Sequence, residues 1–176
     1  MQQNSNLDRT KSIERMAPDI YKYKTVLYIG ACMVRMDYVK EFIDAGYEVT
    51  ILEAWQENCD KLINVPGVKN VICGDIVYEE IENKYDVVFF WHGPEHIEIE
   101  KLPHVFKKLE SLANKMVVMG CPNGVFDQGD IYNNPYERHV SHLDYIIFEK
   151  YGYDVECLGE GYGSNITAVK KGLGNA

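Results

Sequence analysis

The sequence lacks a long hydrophobic run and lacks any closely paired cysteines. No 18 uncharged apolar residues follow one another, and the stretch from Met1 to Arg15 is polar, so we expect neither a membrane span nor an export signal. No C-x-x-C pair is present, and the cysteines stand singly in mostly apolar contexts: Cys32, Cys59, Cys73, Cys121 and Cys157. This usage predicts reduced, buried thiols in a cytoplasmic protein.

Basic residues are also scarce. The chain has 18 Lys and Arg against 27 Asp and Glu, which gives a net charge of -9. Because such a charge repels phosphate backbones and anionic lipids, we expect no nucleic-acid partner and no membrane partner. A small or basic ligand remains.

The length bounds the domain organisation. With 176 residues and 46% hydrophobic composition, the chain can build one core but not a second full domain. We expect an N-terminal segment over 1–23, disordered over its first ten or so residues and then forming a short helix that acts as a lid. Residues 24–176 would form the single folded domain.

Apolar strand-like runs alternate with helical patterns from residue 24 onward. The predicted strands are 25–29, 48–52, 70–73, 86–91, 116–120, 154–158 and 165–169, and the predicted helices are 34–45, 56–64, 97–112 and 142–151. This alternation predicts an α/β fold: one doubly wound, mostly parallel seven-stranded sheet with helices on both faces. Only residues 159–164 separate the last two strands, too few for a parallel crossover, so the last strand should be antiparallel.

The first two strands predict a nucleotide-type site. The first ends in a glycine turn at Gly30, and the second ends at Glu53, which follows Gly30 by 23 residues. Such a turn lets a ligand approach the backbone, and a carboxylate at about this spacing accepts hydrogen bonds from ribose hydroxyls. The pattern indicates an adenosine cofactor. Val34 obstructs the close backbone approach that a pyrophosphate needs, which disfavours an NAD(P)-binding protein.

Several motifs together resemble the class I S-adenosylmethionine-dependent methyltransferases, closest to the ubiquinone-type small-molecule subgroup. In chain order they are Val26-Leu27-Tyr28-Ile29-Gly30, Cys73-Gly74-Asp75-Ile76, Asp86 to Ile97 with its Glu95-His96 tail, and Val117 to Asn123 with its Pro122-Asn123 end. The resemblance covers residues 25–171. It departs at the first motif, where Tyr28 replaces the usual acid and no second or third glycine follows.

The resemblance implies S-adenosylmethionine as cofactor and methyl transfer to a small-molecule acceptor. Gly30, Glu53 and Asp75 would hold the cofactor, and Ile76 would pack on its adenine ring. The departures at Cys32 and Val34 leave two alternatives open. Either the turn is wider than usual, or the chain is a non-catalytic binding or scaffold protein on a decayed methyltransferase fold.

Four of the five histidines lie in two segments that follow predicted strands, residues 92–96 and 137–142. Because the carboxyl ends of parallel strands share one edge, these segments can converge on one pocket. We name them the histidine rim. His92 is the expected general base, since a neutral imidazole can take the proton that an attacking oxygen or nitrogen releases. The expected acceptor-binding residues are Trp91, Asn123, Glu137, His139 and His142.

The rim also contains the H-x-x-E-H spelling of a zinc protease, His92-Gly93-Pro94-Glu95-His96. Pro94 belongs in a first helical turn, so His92 should lie outside the helix that holds His96, and we predict no metal ligands. A site involving His139 or His142 is an open alternative. The long loop over 122–138 should close over the substrate. A homodimer is also left open, because a second subunit can complete the acceptor pocket.

Overall fold

The computed structural model describes residues 2–159 and 164–174, with side chains from residue 9 onward. The helices are α1 (Gln2–Met16), α2 (Asp37–Asp44), α3 (Gln56–Leu62), α4 (Leu102–Leu112) and α5 (Tyr145–Lys150). The strands are β1 (Thr25–Ile29), β2 (Glu48–Glu53), β3 (Val68–Cys73), β4 (Tyr85–Trp91), β5 (Ala113–Cys121), β6 (Asp154–Leu158) and β7 (Asn165–Lys171). Two short 3-10 turns, Pro94–His96 and Pro135–Glu137, follow β4 and β5.

The strands form one seven-stranded sheet in the order β3-β2-β1-β4-β5-β7-β6. Strands β1 to β5 are parallel, and β7 runs antiparallel to both β5 and β6. The predicted fold class is therefore confirmed, including the antiparallel last strand. The short 159–164 connection forces this arrangement, because a hairpin is the only connection it can make.

A core lies on each face of the sheet. Along β4, Val88 and Phe90 face the core that α4 and α5 cover, whereas Phe89 and Trp91 face the core that α1, α2 and α3 cover. Because both faces are buried, the strand reads as a continuous apolar run rather than an alternating one.

The strand order reverses between β1 and β4, since β1 continues to β2 on one side and β4 continues to β5 on the other. Open α/β sheets bind ligands at such a switch point, outside the carboxyl ends of the strands. Gly30 follows β1 and His92 follows β4, so both lie at this point.

The N-terminal segment differs from the prediction. The prediction of disorder is wrong for residues 2–10, because α1 runs from Gln2 to Met16. The segment is anchored by fully buried side chains: Ile13 in α1, and Ala17 and Ile20 just after it. Their burial stabilises the helix, although its polar composition shows no clear amphipathic pattern. Across the described residues, no helix has both the length and the apolar character needed to cross a membrane.

Two of the five cysteines are paired. Cys59 in α3 and Cys73 at the end of β3 form a disulfide with a Cα separation of 5.8 Å. The prediction of five reduced thiols is therefore wrong for this pair. The pairing could not be recognised from the sequence, because the two cysteines are 14 positions apart. Only the packing of α3 against β3 brings them together.

Candidate functional site

A cleft of about 690 Å³ lies at the carboxyl edge of the sheet, over the β1/β4 switch point. Its volume falls within the roughly 300–1,000 Å³ of typical small-molecule sites. Among the described residues, its charged lining holds six carboxyl groups against two arginines: Asp37, Glu41, Glu53, Asp75, Glu95 and Glu137 against Arg9 and Arg35. The lining therefore favours a ligand that carries positive charge.

The turn that follows β1 begins at Gly30. Gly30 adopts φ +75°, and its N–H donates to Leu52 O at 2.9 Å. A side chain at residue 30 would meet no described atom within 4 Å, so the turn is open beside the cleft. Helix α2 begins only at Asp37, and Val34 stands on the surface of the intervening loop. An acidic helix start opposes pyrophosphate binding.

Glu53 is a buried carboxyl group at the end of β2, only 5% exposed. Its Oε1 accepts hydrogen bonds from Trp55 N at 2.9 Å and from Asn58 Nδ2 at 3.5 Å. Burial raises the pKa of Glu53 to about 7, although these hydrogen bonds favour the ionised form. Glu53 lines the cleft.

Asp75 and Ile76 continue the same wall of the cleft. Asp75 Oδ1 accepts a hydrogen bond from Val77 N at 2.8 Å, which fixes the side chain in a tight turn. Gly74 N donates to Glu53 O at 2.9 Å and so ties this turn to the end of β2. The structure thus brings all four expected cofactor residues to the cleft: Gly30, Glu53, Asp75 and Ile76.

His92 lies at the tip of β4 with a strained backbone. Its φ of +50° is in the left-handed region, which non-glycine residues enter mainly at turns and functional sites. His92 Nε2 is 3.1 Å from Arg9 Nη1, and His92 Nδ1 is 3.2 Å from Glu95 Oε1. Because a guanidinium only donates hydrogen bonds, His92 Nε2 is the acceptor of the bond from Arg9. The ring proton is therefore on Nδ1, and this N–H donates a hydrogen bond to Glu95 Oε1. The lone pair that a general base needs is therefore engaged by Arg9.

Arg9 was not predicted as a site residue. It lies in α1 and reaches the cleft only because that helix packs against the sheet, 83 residues away from His92 in sequence. No local pattern distinguishes it from the other basic residues of the segment. The sequence signal that bears on it is the predicted lid role of residues 1–23.

Glu95, His96 and His139 form a cluster, which we name the Glu-His-His cluster. Each residue has one atom capable of binding a metal ion, and these three atoms lie within 4.8 Å of one another. Burial disfavours the charge on Glu95, yet the hydrogen bond from His92 and the nearby imidazoles hold the pKa of Glu95 below its ordinary value. Burial lowers the pKa of His139. The cluster therefore pairs a carboxylate with a neutral imidazole.

The expected acceptor residues divide into two groups. Trp91, Glu137 and His139 line the cleft. In the described part of the chain, Asn123 and His142 do not line it. Asn123 Nδ2 donates to Gly159 O at 3.2 Å, and His142 Nε2 pairs with Asp127 Oδ1 at 2.9 Å. These polar partners engage both side chains elsewhere, which the sequence alone did not indicate.

The loop over 122–138 contributes a wall of the cleft through Phe126, Gln128, Tyr132 and Tyr136. Asn134 Oδ1 accepts from Tyr136 N at 2.9 Å and starts the Pro135–Glu137 turn. The loop therefore faces the cleft, and its closing over a substrate stays a prediction.

No protein-family model and no curated protein matches the chain. Solved structures do match. DhpI, solved in complex with SAH, has a TM-score of 0.68 at 12% identity, over 96% of this chain and 86% of that one. The N-methyltransferase NodS from Bradyrhizobium japonicum WM9 has a TM-score of 0.67 at 9% identity, over 97% of both chains. The methyltransferase domain of bacterial CtHen1-CN has a TM-score of 0.65 at 18% identity, over 95% and 99%. At such identities the likeness establishes a shared fold.

Proposed function

We propose that this chain transfers the methyl group of S-adenosylmethionine to a small-molecule acceptor. The observation that carries the proposal is the wall formed by Gly30, Glu53, Asp75 and Ile76 along the cleft at the switch point. The fold adds support, because it is shared with methyltransferases, and NodS has been solved in complex with S-adenosyl-L-homocysteine.

The residues present fit this cofactor better than a dinucleotide. Glu53 offers a carboxyl group to a ribose, and the turn at Gly30 is open beside it. The excess of carboxyl groups in the lining suits a sulfonium cation and opposes a pyrophosphate. Asp37 at the start of α2 occupies the helix end where a dinucleotide fold binds phosphate.

When bound, S-adenosylmethionine supplies an electrophilic methyl group on a sulfonium centre. The chain's own part would be chiefly alignment: Glu53 would hold the ribose, and Asp75 would accept a hydrogen bond from the adenine. The 122–138 loop excludes water over the acceptor. Positioning of this kind supplies several kcal/mol of the barrier reduction, about 7–11 kcal/mol in the best intramolecular cases.

His92 has the second role, as proton acceptor, and Arg9 controls it. His92 Nε2 becomes available when the Arg9 guanidinium gives up its hydrogen bond. The adjacent Glu95 carboxylate then stabilises the imidazolium through Nδ1–H. General-base assistance of this kind contributes about 10²–10⁴-fold to a rate.

Turnover tests the proposal. We expect the protein to convert S-adenosylmethionine to S-adenosylhomocysteine when pooled small metabolites are added. Glu53→Ala should weaken cofactor binding by roughly 1.5–3 kcal/mol, because it removes charge-assisted hydrogen bonds. Glu57→Ala, which removes an exposed carboxyl group in the first turn of α3, is the matched control. Cofactor consumption that is unchanged in Glu53→Ala would contradict the assignment.

His92→Asn separates catalysis from binding. Asparagine tolerates the left-handed backbone that residue 92 adopts, so the fold should persist. We expect turnover to fall while affinity for S-adenosylmethionine stays within about threefold of wild type. Equal loss of both would place His92 in cofactor binding rather than in proton transfer.

A further inference from the structure

We propose that Glu95, His96 and His139 bind one divalent transition-metal ion in the cleft, beside the end of β4. Their donor atoms lie within 4.8 Å of one another, and all three residues line the cleft. Ligands on a tetrahedral ion are roughly 3.4 Å apart, as follows from metal–ligand distances of about 2.1 Å. The side chains therefore need to close by at most roughly 1.4 Å around an ion.

Both imidazoles are already oriented as metal ligands usually are. His96 Nδ1 is 3.0 Å from Arg138 O, and His139 Nδ1 is 2.7 Å from Phe126 O. Because a carbonyl oxygen only accepts, each Nδ1 carries the proton and each Nε2 keeps its lone pair. Metal-binding histidines typically donate their other ring N–H to a carbonyl or carboxylate, which fixes tautomer and orientation.

Glu95 provides a second, independent observation. It is 2% exposed, and its Oε1 is held by His92 Nδ1. Its Oε2 is buried without a hydrogen-bond partner among the described residues. An unsatisfied buried acceptor destabilises the fold, and does so more when it is charged. A cation bound to Oε2 removes that cost, whereas a purely structural cluster leaves it unexplained.

The donor set selects the kind of ion. Two imidazoles and one carboxylate suit zinc, iron, cobalt or nickel, whereas magnesium and calcium prefer oxygen ligands alone. Three protein ligands leave coordination positions open, as in catalytic rather than structural zinc sites. Because the cluster lines the cleft, the open positions are accessible to a small molecule.

The ion would thus bind an oxygen or nitrogen of the methyl acceptor and lower the pKa of a coordinated hydroxyl. This role rests on the proposed methyl transfer. The binding of the ion itself does not, so the two are measured separately.

Titration with Co²⁺ and Zn²⁺ tests the site. After treatment with a chelator and its removal, we expect the full chain to bind one Co²⁺, with the weak visible bands of nitrogen and oxygen ligation and no thiolate charge-transfer band. Zn²⁺ should displace the Co²⁺, and Mg²⁺ should not.

Two variants and one control make the test specific. In His139→Asn and His96→Asn the amide replaces the Nδ1–H donor to the carbonyl but supplies no Nε2 ligand. Each should weaken Co²⁺ binding by more than the about 10–100-fold seen when an outer-shell partner is lost. His104→Asn, an exposed histidine on α4, should bind Co²⁺ like wild type.

Three results would overturn the inference. They are the absence of saturable one-to-one binding by the wild-type chain, unchanged affinity in a folded His139→Asn variant, and a thiolate-type Co²⁺ spectrum. Calorimetry with S-adenosylmethionine on the same samples keeps the two proposals apart. Cofactor binding without the metal removes only this inference, and metal binding without the cofactor removes only the proposed function.

Discussion

At the scale of one residue, Glu53 shows how a buried carboxyl group that lines a cleft costs stability. Its carboxyl group is buried beside few donors, and burial raises its pKa to about 7. A carboxylate that is incompletely solvated and incompletely hydrogen bonded in the free protein gains most from a ligand that donates to it. The ribose hydroxyls of the proposed cofactor are such donors.

The stability of the fold should therefore depend on pH through Glu53. Because the folded pKa lies above the ordinary value, the native state holds the proton more tightly, and this contribution to stability is lost as pH rises to about 7. When the pH is raised from 5 to 8, the free energy of unfolding of Glu53→Gln should rise by on the order of 2–3 kcal/mol relative to that of wild type. Urea unfolding at the two pH values measures this, with Glu57→Gln as control. If the difference in free energy of unfolding between Glu53→Gln and wild type were the same at both pH values, burial would not raise the pKa of Glu53.

Cofactor affinity should change with pH in the opposite sense. The ionised carboxylate accepts hydrogen bonds from both ribose hydroxyls, and the fraction ionised rises through the pKa of about 7. We expect affinity for S-adenosylhomocysteine to increase from pH 6 to pH 8 in wild type. In Glu53→Gln it should be weaker and nearly independent of pH. Parallel curves for the two proteins would exclude this role for the carboxyl group.

At the scale of elements, the strands followed from the sequence more closely than the helices did. The continuous apolar run of β4 and the glycine that ends β1 locate those strands within a residue. The helix starts were predicted too early at residues 34, 97 and 142, because apolar residues there line the cleft or pack in turns. Helix α5 begins where Asp144 Oδ1 accepts from Ile146 N, a cap that apolar spacing does not reveal.

Helix α1 is part of the folded domain rather than only a lid. Ile13 is 1% exposed in the core on the α2 face of the sheet. Ile13→Ala should lower the free energy of unfolding by about 2–4 kcal/mol, since it leaves a cavity in that core. Lys11→Ala, an exposed site in the same helix, should change it by less than about 0.5 kcal/mol. A detachable lid would show little effect for either variant in chemical denaturation.

The disulfide joins two elements that flank one wall of the cleft, because α3 follows Glu53 and β3 precedes Asp75. A disulfide that closes a loop of this length lowers the entropy of the unfolded chain, which stabilises the folded state by about 3 kcal/mol. Cys73→Ser should therefore lower stability by about 2–3 kcal/mol in oxidising buffer, and by much less when both proteins are reduced. Cys157→Ser, an exposed cysteine outside the disulfide, is the control. An equal loss under reducing conditions would mean that Cys73 acts through packing.

For the whole molecule, topology was predictable and the contacts across the cleft were not. The short connection over 159–164 requires β6 and β7 to be antiparallel, and the strand order gathers Gly30, Glu53 and His92 at one edge. Arg9, and the Glu95 Oε2 that has no hydrogen-bond partner in the described ranges, depend on packing between segments far apart in sequence, which no local pattern encodes. The homodimer and the cytoplasmic location stay predictions.

Calorimetric titration of the whole chain with S-adenosylmethionine, S-adenosylhomocysteine and NADPH is the most direct test of the central claim. The wall of Gly30, Glu53 and Asp75 should bind one S-adenosylmethionine or S-adenosylhomocysteine per chain, more weakly in Glu53→Ala by roughly 1.5–3 kcal/mol. NADPH should not bind, because the acidic lining and the Asp37 helix start oppose its phosphates. Binding of NADPH alone, or of none of the three by a folded chain, would contradict the account.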